Sequence, residues 1–520
     1  MSTTSSFLST AIPYVNGSPH IGHAQEFVIA DAIARHRRRF ATDVHFQSGT
    51  DDNSLKNARA AAEKGILPEI LVARHSAEFQ SLAAELNVHF SDFLRTSVDP
   101  RHAPTVARLW KACNAAGDIE LRPYRGLYCV GCEQFFAEGE LPDNRCPEHA
   151  LALELVEEEN YFFRASRHGA TIRTAIETNA LRIEPATRRR EVLRFLEGGL
   201  QDFSVSRSAS RAREWGIPVP GDPSQVIYVW FDALANYIST LGYATAAPAF
   251  EKIWNHAVAR THVIGKGVLR FHAVHWPAIL LSAGLPLPTE VLAHGYVTLE
   301  GRKVGKSLGN ARGAGAFLER FGSDAFRYYV LRHLHTTADS DFSEELLVAA
   351  HDNELADQFG NLLRRSLSLV ERGFGGRVPE PGPPTAAEDS LRHEGDRALA
   401  EQLDAFQRFD LNEAAAAPLR LIAAANRYFD AQAPWTLRKV GHEQRLATVL
   451  FTTLEATWRA AWLLAPIVPN ASARVRTELG SHDAAAPTNS GELQWNTLPS
   501  GTLVKLGAPL FPKLRPTAPR

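Results

Sequence analysis

Apolar residues recur along this chain with two spacings, one of short runs and one of helical stripes. SSFLSTAI (5–12) reads as a short buried strand, the Pro/Asn/Gly/Ser stretch after it as a loop, and IGHAQEFVIADAIARHRRR (21–39) as a helix. DVHFQSG (43–49) follows as a second strand and leads into Asp51 and Asp52. Strand, loop, helix and strand at this spacing predict a βαβ unit and so a parallel sheet. Further strand-like runs come much later: QVIYVW (225–230), RTHVIG (260–265) and VLAHGYVTL (291–299). The region between them and the first unit looks like an insertion that splits one α/β domain. From Asp341 onward the pattern is helical almost throughout, as in ELADQFGNLLRRSLSLV and EAAAAPLRLIAAANRYFD. The expected divisions are therefore 1–117 and 225–340 for the two halves of the α/β domain, 118–224 for the insertion, 341–500 for a helical domain and 501–520 for a final strand and tail. GGRVPEPGPPTAAED (375–389) and GSHDAAAPTNSG (480–491) read as surface loops, and no internal repeat is seen.

Charge and composition narrow the function classes. A net charge of −2 excludes a protein coated in positive potential, though a nucleic acid can still be held by a local patch. Basic clusters occur at ARHRRR (34–39), TRRREVLR (187–194), SRSASRAR (206–213) and LLRR (362–365); each alone reads as a solvated helix face. No apolar run approaches membrane-spanning length, and MSTTSSFLSTAIPY lacks the basic start and long apolar stretch of a signal peptide, so a cytoplasmic protein with no membrane partner is expected. Methionine occurs only at position 1.

The chemistry begins at PYVNGSPHIGHA (13–24), where His20 and His23 flank Ile21 and Gly22 at the predicted helix start. Helix N-termini beyond the carboxyl ends of parallel strands bind phosphate, and two imidazoles there can hydrogen-bond a nucleotide's phosphate oxygens. GRKVGKSLGN (301–310) supplies Lys303 and Lys306 in a loop after a strand, placed to reach a leaving pyrophosphate.

With both motifs present, the chain resembles a class I aminoacyl-tRNA synthetase: His20-Ile21-Gly22-His23 matches the first signature of the class, and Lys303-Val304-Gly305-Lys306-Ser307 is similar to the second. TAIPYVNGSPHIGHA, GLYCVGCEQFF, ENYFFR, WGIPVP, YVWFDALANYI, RFHAVHWPAILL, KSLGN, DAFRYYVLR and APW resemble the methionyl-tRNA synthetases, in order and over nearly the whole chain. The resemblance implies a Rossmann-like parallel-sheet catalytic domain split by a zinc-knuckle connective insertion, followed by an α-helical anticodon-binding bundle. It implies ATP with magnesium, L-methionine and methionine tRNA as partners, and a reaction through methionyl-adenylate.

Cys129, Cys132, Cys146 and His149 give C-x2-C-x13-C-x2-H, a spacing that can close a tetrahedral zinc shell; four protein ligands imply a structural site. Cys113 lies apart and reads as a plain core thiol. A methionine side chain needs an apolar, aromatic-walled slot and its ammonium group needs a carboxylate. The resemblance assigns these roles to Tyr14, Trp230, Tyr237 and Phe271, with Ile12, Ala233 and Leu234 as filler, His272 beside them and Asp51 as the charge. In the helical region Asn361 and Arg365 share a helix face, and Trp435 offers an aromatic for unstacked bases; the matching residues of the family read the anticodon.

The chain also departs from the family. Asp52-Asn53-Ser54 stands where an acidic residue is usually followed by His-Gly, Gly267 stands where Gly-Lys is usually followed by Asp, and SRSASRAREWGIPVP is a few residues longer than usual. All three lie near the active centre. Two alternatives therefore stay open: a paralogue using a methionine analogue or a non-tRNA acceptor, and a catalytically decayed tRNA-binding protein. GTLVKLGAPLFPKL (501–514), near the end of the sequence, reads as strand-like, and a monomer is expected.

Overall fold

Ser5–Thr10 (β1) is buried at every position, as a strand covered on both faces must be. It is one of the two middle strands of a six-stranded sheet whose other members are Asp43–Thr50 (β2), Asp92–Arg95 (β3), Arg182–Glu184 (β4), Ala259–Gly265 (β5) and Glu290–His294 (β6). The order is β3-β2-β1-β5-β6-β4, and every neighbouring pair is parallel. The strand order reverses between β1 and β5, which pair in the register Ser9 to His262 and Thr10 to Val263. A crevice at such a switch point, beyond the carboxyl ends of the strands, is where open α/β sheets take ligands. The computed structural model describes residues 4–40, 42–129, 134–136, 145, 152–299, 301–303, 313–480 and 494–514, without the side chains of 124, 134–136, 302 and 303. Two compact units result: Met1–His20 with Asp43–Ala84 and His89–His294, and Ile21–Thr42 with Glu85–Val88 and Gly295–Arg520.

The helix Ile21–Arg38 follows β1 as predicted. Three other expectations change. The run QVIYVW does not join the main sheet: Asp222–Ile227 pairs antiparallel with Pro218–Val219 and Ser206–Ser208, and Trp230 belongs to the short helix Val229–Leu234. The run VLAHGYVTL breaks into β6 and Val297–Leu299, which pairs instead with Arg302–Lys303 and Ser340–Asp341. The break is at Gly295, where a Cβ would meet the Ala338 carbonyl oxygen at 2.0 Å. Third, the residues from Gly501 to Leu514 form no strand; they make a single antiparallel bridge, Leu503 with Arg377.

Within the second unit four long helices, Asn361–Phe374, Ala386–Gln407, Leu411–Gln432 and Glu443–Leu464, contribute many of the buried apolar residues. Thr385 starts the second of them with a capping box, its hydroxyl and amide both donating to Glu388 Oε2 at 2.7 Å. Arg445 forks onto the same carboxylate at 2.8 and 3.0 Å, and the Tyr428 hydroxyl donates to it as well. Burial alone would raise the Glu388 carboxyl, but Arg445, Tyr428 and Thr385 override it and hold it at about 2. A pKa below the unfolded value stabilises the fold fully above about pH 4.5 and loses that contribution as pH falls through about 2. Glu388→Gln should therefore flatten the acid limb of stability between those values by about 2 kcal/mol, the partly exposed Arg445 end screening the rest. Urea midpoints at a series of pH values, wild type against variant, measure this.

The basic runs are not simply solvated. In ARHRRR, Arg39 is 2 % exposed, with its guanidinium 4.0 Å above the Trp462 ring and donating to the Trp462 carbonyl at 2.6 Å. In SRSASRAR, the Arg207 guanidinium is buried, 5.1 Å from the Tyr128 ring and 2.8 Å from its hydroxyl. No helix among the described residues is long and apolar enough to cross a membrane.

Candidate active site

Three strand ends of the first unit converge on one aromatic slot. Beyond β1, Tyr14 forms a lone parallel bridge with Asp51, and the Asp51 amide donates to the Pro13 carbonyl at 3.0 Å. Asp51 is thereby set beside the tyrosine, and it is 2 % exposed. Beyond β5, the chain turns through Lys266–Val268 and presents Phe271 and His272. Between them stands Trp230, stacked on Phe271 at a centroid distance of 3.6 Å and 6° between planes, with Tyr14 edge-on to it at 6.2 Å. Its indole Nε1 is buried with no hydrogen-bond partner among the described residues. Ala233 and Leu234, on the same short helix, are buried, and Ile12 is half-buried where β1 ends.

One wall of the slot has a defined proton arrangement. His272 Nδ1 lies 2.9 Å from the Val268 carbonyl, which can only accept, so Nδ1 carries the hydrogen. Nε2 then accepts from the Tyr237 hydroxyl at 2.7 Å. Burial pushes the His272 imidazole down to about 4, so it is neutral at ordinary pH. Deeper in, burial and then the neighbouring His272 hold His262 well below its ordinary value; its Nδ1 is 2.7 Å from Ser9 Oγ and its ring 4.3 Å from Tyr237. Two neutral imidazoles and a phenol give a polarizable surface without net charge, suited to a thioether.

The residues after Asp51 are tightly held. Asp52 is fully buried, its carboxylate taking Thr50 Oγ1 at 2.7 Å, Ser97 Oγ at 2.6 Å and Arg95 at 3.1 Å. Asn57 Nδ2 donates to the carbonyls of both Asp51 and Asp52, and the Trp215 indole donates to the Asp52 carbonyl at 2.8 Å. Ser54 caps the helix Leu55–Glu63, its side chain accepting from the Lys56 amide. That helix holds Lys56 Nζ 4.7 Å above the Tyr14 ring. Gly267 is exposed on the turn after β5. Sequence reasoning missed Asp232 and His102, buried polar residues behind the slot, because no local pattern marks them.

His20 and His23 are half-buried at the start of the helix Ile21–Arg38, whose first amides face outward from the helix end. Lys303 lies on the strand Arg302–Lys303, paired with Thr298; its side chain and all of Lys306 lie outside the described residues. Cys129 is fully buried at the end of the strand Ile119–Cys129, paired antiparallel with Gln134. Cys132, Cys146 and His149 lie outside the described residues, and no metal-ligating cluster of three or more side chains occurs among those described. Cys113 is buried apart from this region, its thiol pushed up to about 12 by burial.

In the second unit the structure brings Arg365 and Trp435 together. The Arg365 guanidinium is ion-paired with Asp430, 4.8 Å from the Phe429 ring and 5.8 Å from the Trp435 ring, and Trp435 is 44 % exposed. Asn361 is exposed one helical turn before Arg365.

An all-parallel sheet with an aromatic slot at its switch point and a helical unit after it is the framework of a class I aminoacyl-tRNA synthetase. The model of that family described as tRNA synthetases class I (M) matches residues 6–152 and 140–367, and the anticodon binding domain of methionyl tRNA ligase matches 378–518. Methionine–tRNA ligase of Thermotoga maritima is 39 % identical over 515 residues, 98 % of this chain and 80 % of its own. That of Brucella melitensis is 38 % identical over 520 residues, covering 99 % of this chain and 98 % of its own. Mycobacterium tuberculosis methionyl-tRNA synthetase in complex with methionyl-adenylate superposes with a TM-score of 0.93 at 37 % identity, over 98 % of this chain and 100 % of that one. The chain belongs to the methionine–tRNA ligase family.

Proposed function

We propose that this chain activates L-methionine with ATP, releasing pyrophosphate, and passes the methionyl group to the terminal ribose hydroxyl of methionine tRNA. The observation that supports this most is the slot of Tyr14, Trp230, Tyr237, Phe271 and His272 with the buried Asp51 carboxylate at its edge. Stacked Trp230 and Phe271 take the thioether chain, with Ile12, Ala233 and Leu234 filling the rest, and Asp51 pairs with the ammonium. The methionine carboxylate is left free to attack the α-phosphate of magnesium ATP. His20 and His23 hydrogen-bond the phosphates at the helix start, and Lys303 and Lys306 take the growing charge on the leaving pyrophosphate. No protein nucleophile is needed; positioning and charge stabilisation supply the rate. ATP–pyrophosphate exchange over a panel of amino acids tests the first step and charging of methionine tRNA the second. Exchange that ignores methionine would overturn the reading, and exchange without charging would redirect it to another acceptor.

Arg365, Trp435 and Asn361 read the anticodon in this scheme. Trp435→Ala and Arg365→Ala should each raise KM for tRNA about tenfold to a hundredfold while pyrophosphate exchange stays unchanged, the loss expected for one unstacked base. A structural zinc suits the insertion: Cys129 offers a buried soft donor at the end of its strand, and Cys132, Cys146 and His149 complete the set. The metal would stabilise the insertion's fold and take no part in the reaction. We place the enzyme in the cytoplasm as a monomer, with 118–224 as its connective insertion and 341–500 as its anticodon domain.

A further inference from the structure

We propose that Asn53 is a positioning residue that sets the width of the methionine slot through Asp232; the proposal rests on the reading of that slot as the methionine site. Asn53 is where this chain departs from the family's usual histidine, and its side chain is engaged. Asn53 Nδ2 donates to Asp232 Oδ2 at 2.8 Å, and its other amide hydrogen reaches toward the Thr96 carbonyl at 3.5 Å. Asp232 is 1 % exposed and sits in the short helix Val229–Leu234, between Trp230 and the filler residues Ala233 and Leu234. Its second oxygen is taken by His102 Nε2 at 2.5 Å, and His102 Nδ1 lies 3.0 Å from Ser239 Oγ.

The geometry gives this bond a specific consequence. Asp51 and Asn53 are two residues apart on a segment whose carbonyls are pinned by Asn57 and Trp215. That segment carries the carboxylate for the ammonium group, while the helix on the other side of the bond carries the aromatic wall. Asn53 to Asp232 is therefore a direct strut between the two parts of the slot that hold opposite ends of the amino acid. A second tie, Gln47 Nε2 to the Asn236 carbonyl at 2.8 Å, anchors the following turn to β2, so loss of Asn53 loosens the helix without releasing it. A buried carboxylate oxygen left with one donor fewer shifts toward any other donor it can reach, and Trp230 moves with its helix. The lengthened run before Trp215 ends on the same segment, which places two of the three departures around one structural element.

The test is ATP–pyrophosphate exchange on the full chain with Asn53→Ala, Asp232→Leu and the double variant. Asn53→Ala should raise KM for methionine about tenfold, with KM for ATP unchanged, and Asn53→His, which keeps an N–H donor, should recover most of the loss. The double variant should be no worse than Asp232→Leu alone, because the leucine already removes the acceptor of the Asn53 bond. Unchanged KM for methionine, equal losses for methionine and ATP, or additive effects in the double variant would overturn the proposal. Should the alanine variant not fold, Asn53→Ser measured in the same way decides it. Wild-type protein that shows no methionine-dependent exchange would instead remove the methionine site itself, an outcome seen before any variant is made.

Discussion

Arg327→Met should cost the second unit about 3–5 kcal/mol, a large share of the 5–15 kcal/mol that holds a typical domain folded. Arg327 and Asp31 are both fully buried and meet at 2.7 Å. Arg35 binds the same Asp31 oxygen at 2.7 Å from a partly exposed position. Burial alone would raise the Asp31 carboxyl, but Arg327 and then Arg35 override it and keep it below its ordinary value, so it remains ionised. The other Arg327 hydrogens donate to the carbonyls of Pro466, Ile467 and Leu86 at 2.8, 3.1 and 3.2 Å. Methionine at 327 fills much of the volume but leaves a buried carboxylate half-compensated and three carbonyls without a donor, and those are the costs that dominate. Arg35→Met, which removes only the partly exposed partner, should cost about 1 kcal/mol. Urea midpoints followed by helical circular dichroism separate the two; equal small losses would mean that water replaces the guanidinium.

The helix carrying Asp31 and the strands on either side of it were legible in sequence because they are long or strongly patterned. Residues 5–12, 21–39 and 43–49 have the right periods, and the structure places elements there with ends shifted by at most two residues. QVIYVW was not legible as it stands, since a continuous apolar run suits a buried strand and a buried helix equally, and the tertiary setting of Trp230 chose the helix. β4 escaped notice because three residues inside an apparent insertion leave too short a pattern, yet they complete the edge of the main sheet. Gly295 is visible in sequence but its meaning is not: the Ala338 carbonyl that forbids a side chain lies 43 residues downstream. The slot followed the same rule. Its aromatics and Asp51 could be named from motif context, whereas Asp232, His102 and the Asn53 bond join positions separated by 130 and 179 residues, which no local pattern records. Buried Arg39 likewise sits in a basic run that looks solvated until Trp462 is placed against it.

Asp51→Asn should lower kcat/KM for methionine in pyrophosphate exchange by about a hundredfold to a thousandfold. The substitution keeps size and shape, removes the charge and turns one acceptor oxygen into an N–H donor. At a site 2 % exposed, water cannot restore what the ammonium group loses, and breaking one side of a buried charge pair costs about 3–4 kcal/mol. The strut residue Asn53 touches no substrate and shifts KM alone, so the two variants differ in size of effect and in kind. KM for ATP should move less than about threefold in Asp51→Asn, because the phosphates are bound by other groups. A substrate analogue sharpens the assignment: the alcohol corresponding to methionine keeps the ammonium and lacks the carboxylate. If Asp51 binds the ammonium, that alcohol should lose inhibitory potency against Asp51→Asn by the same factor as methionine loses kcat/KM. Full potency of the alcohol against the variant would move Asp51 from the ammonium to the reacting carboxylate end, and with it the direction in which methionine lies along the Trp230–Phe271 stack.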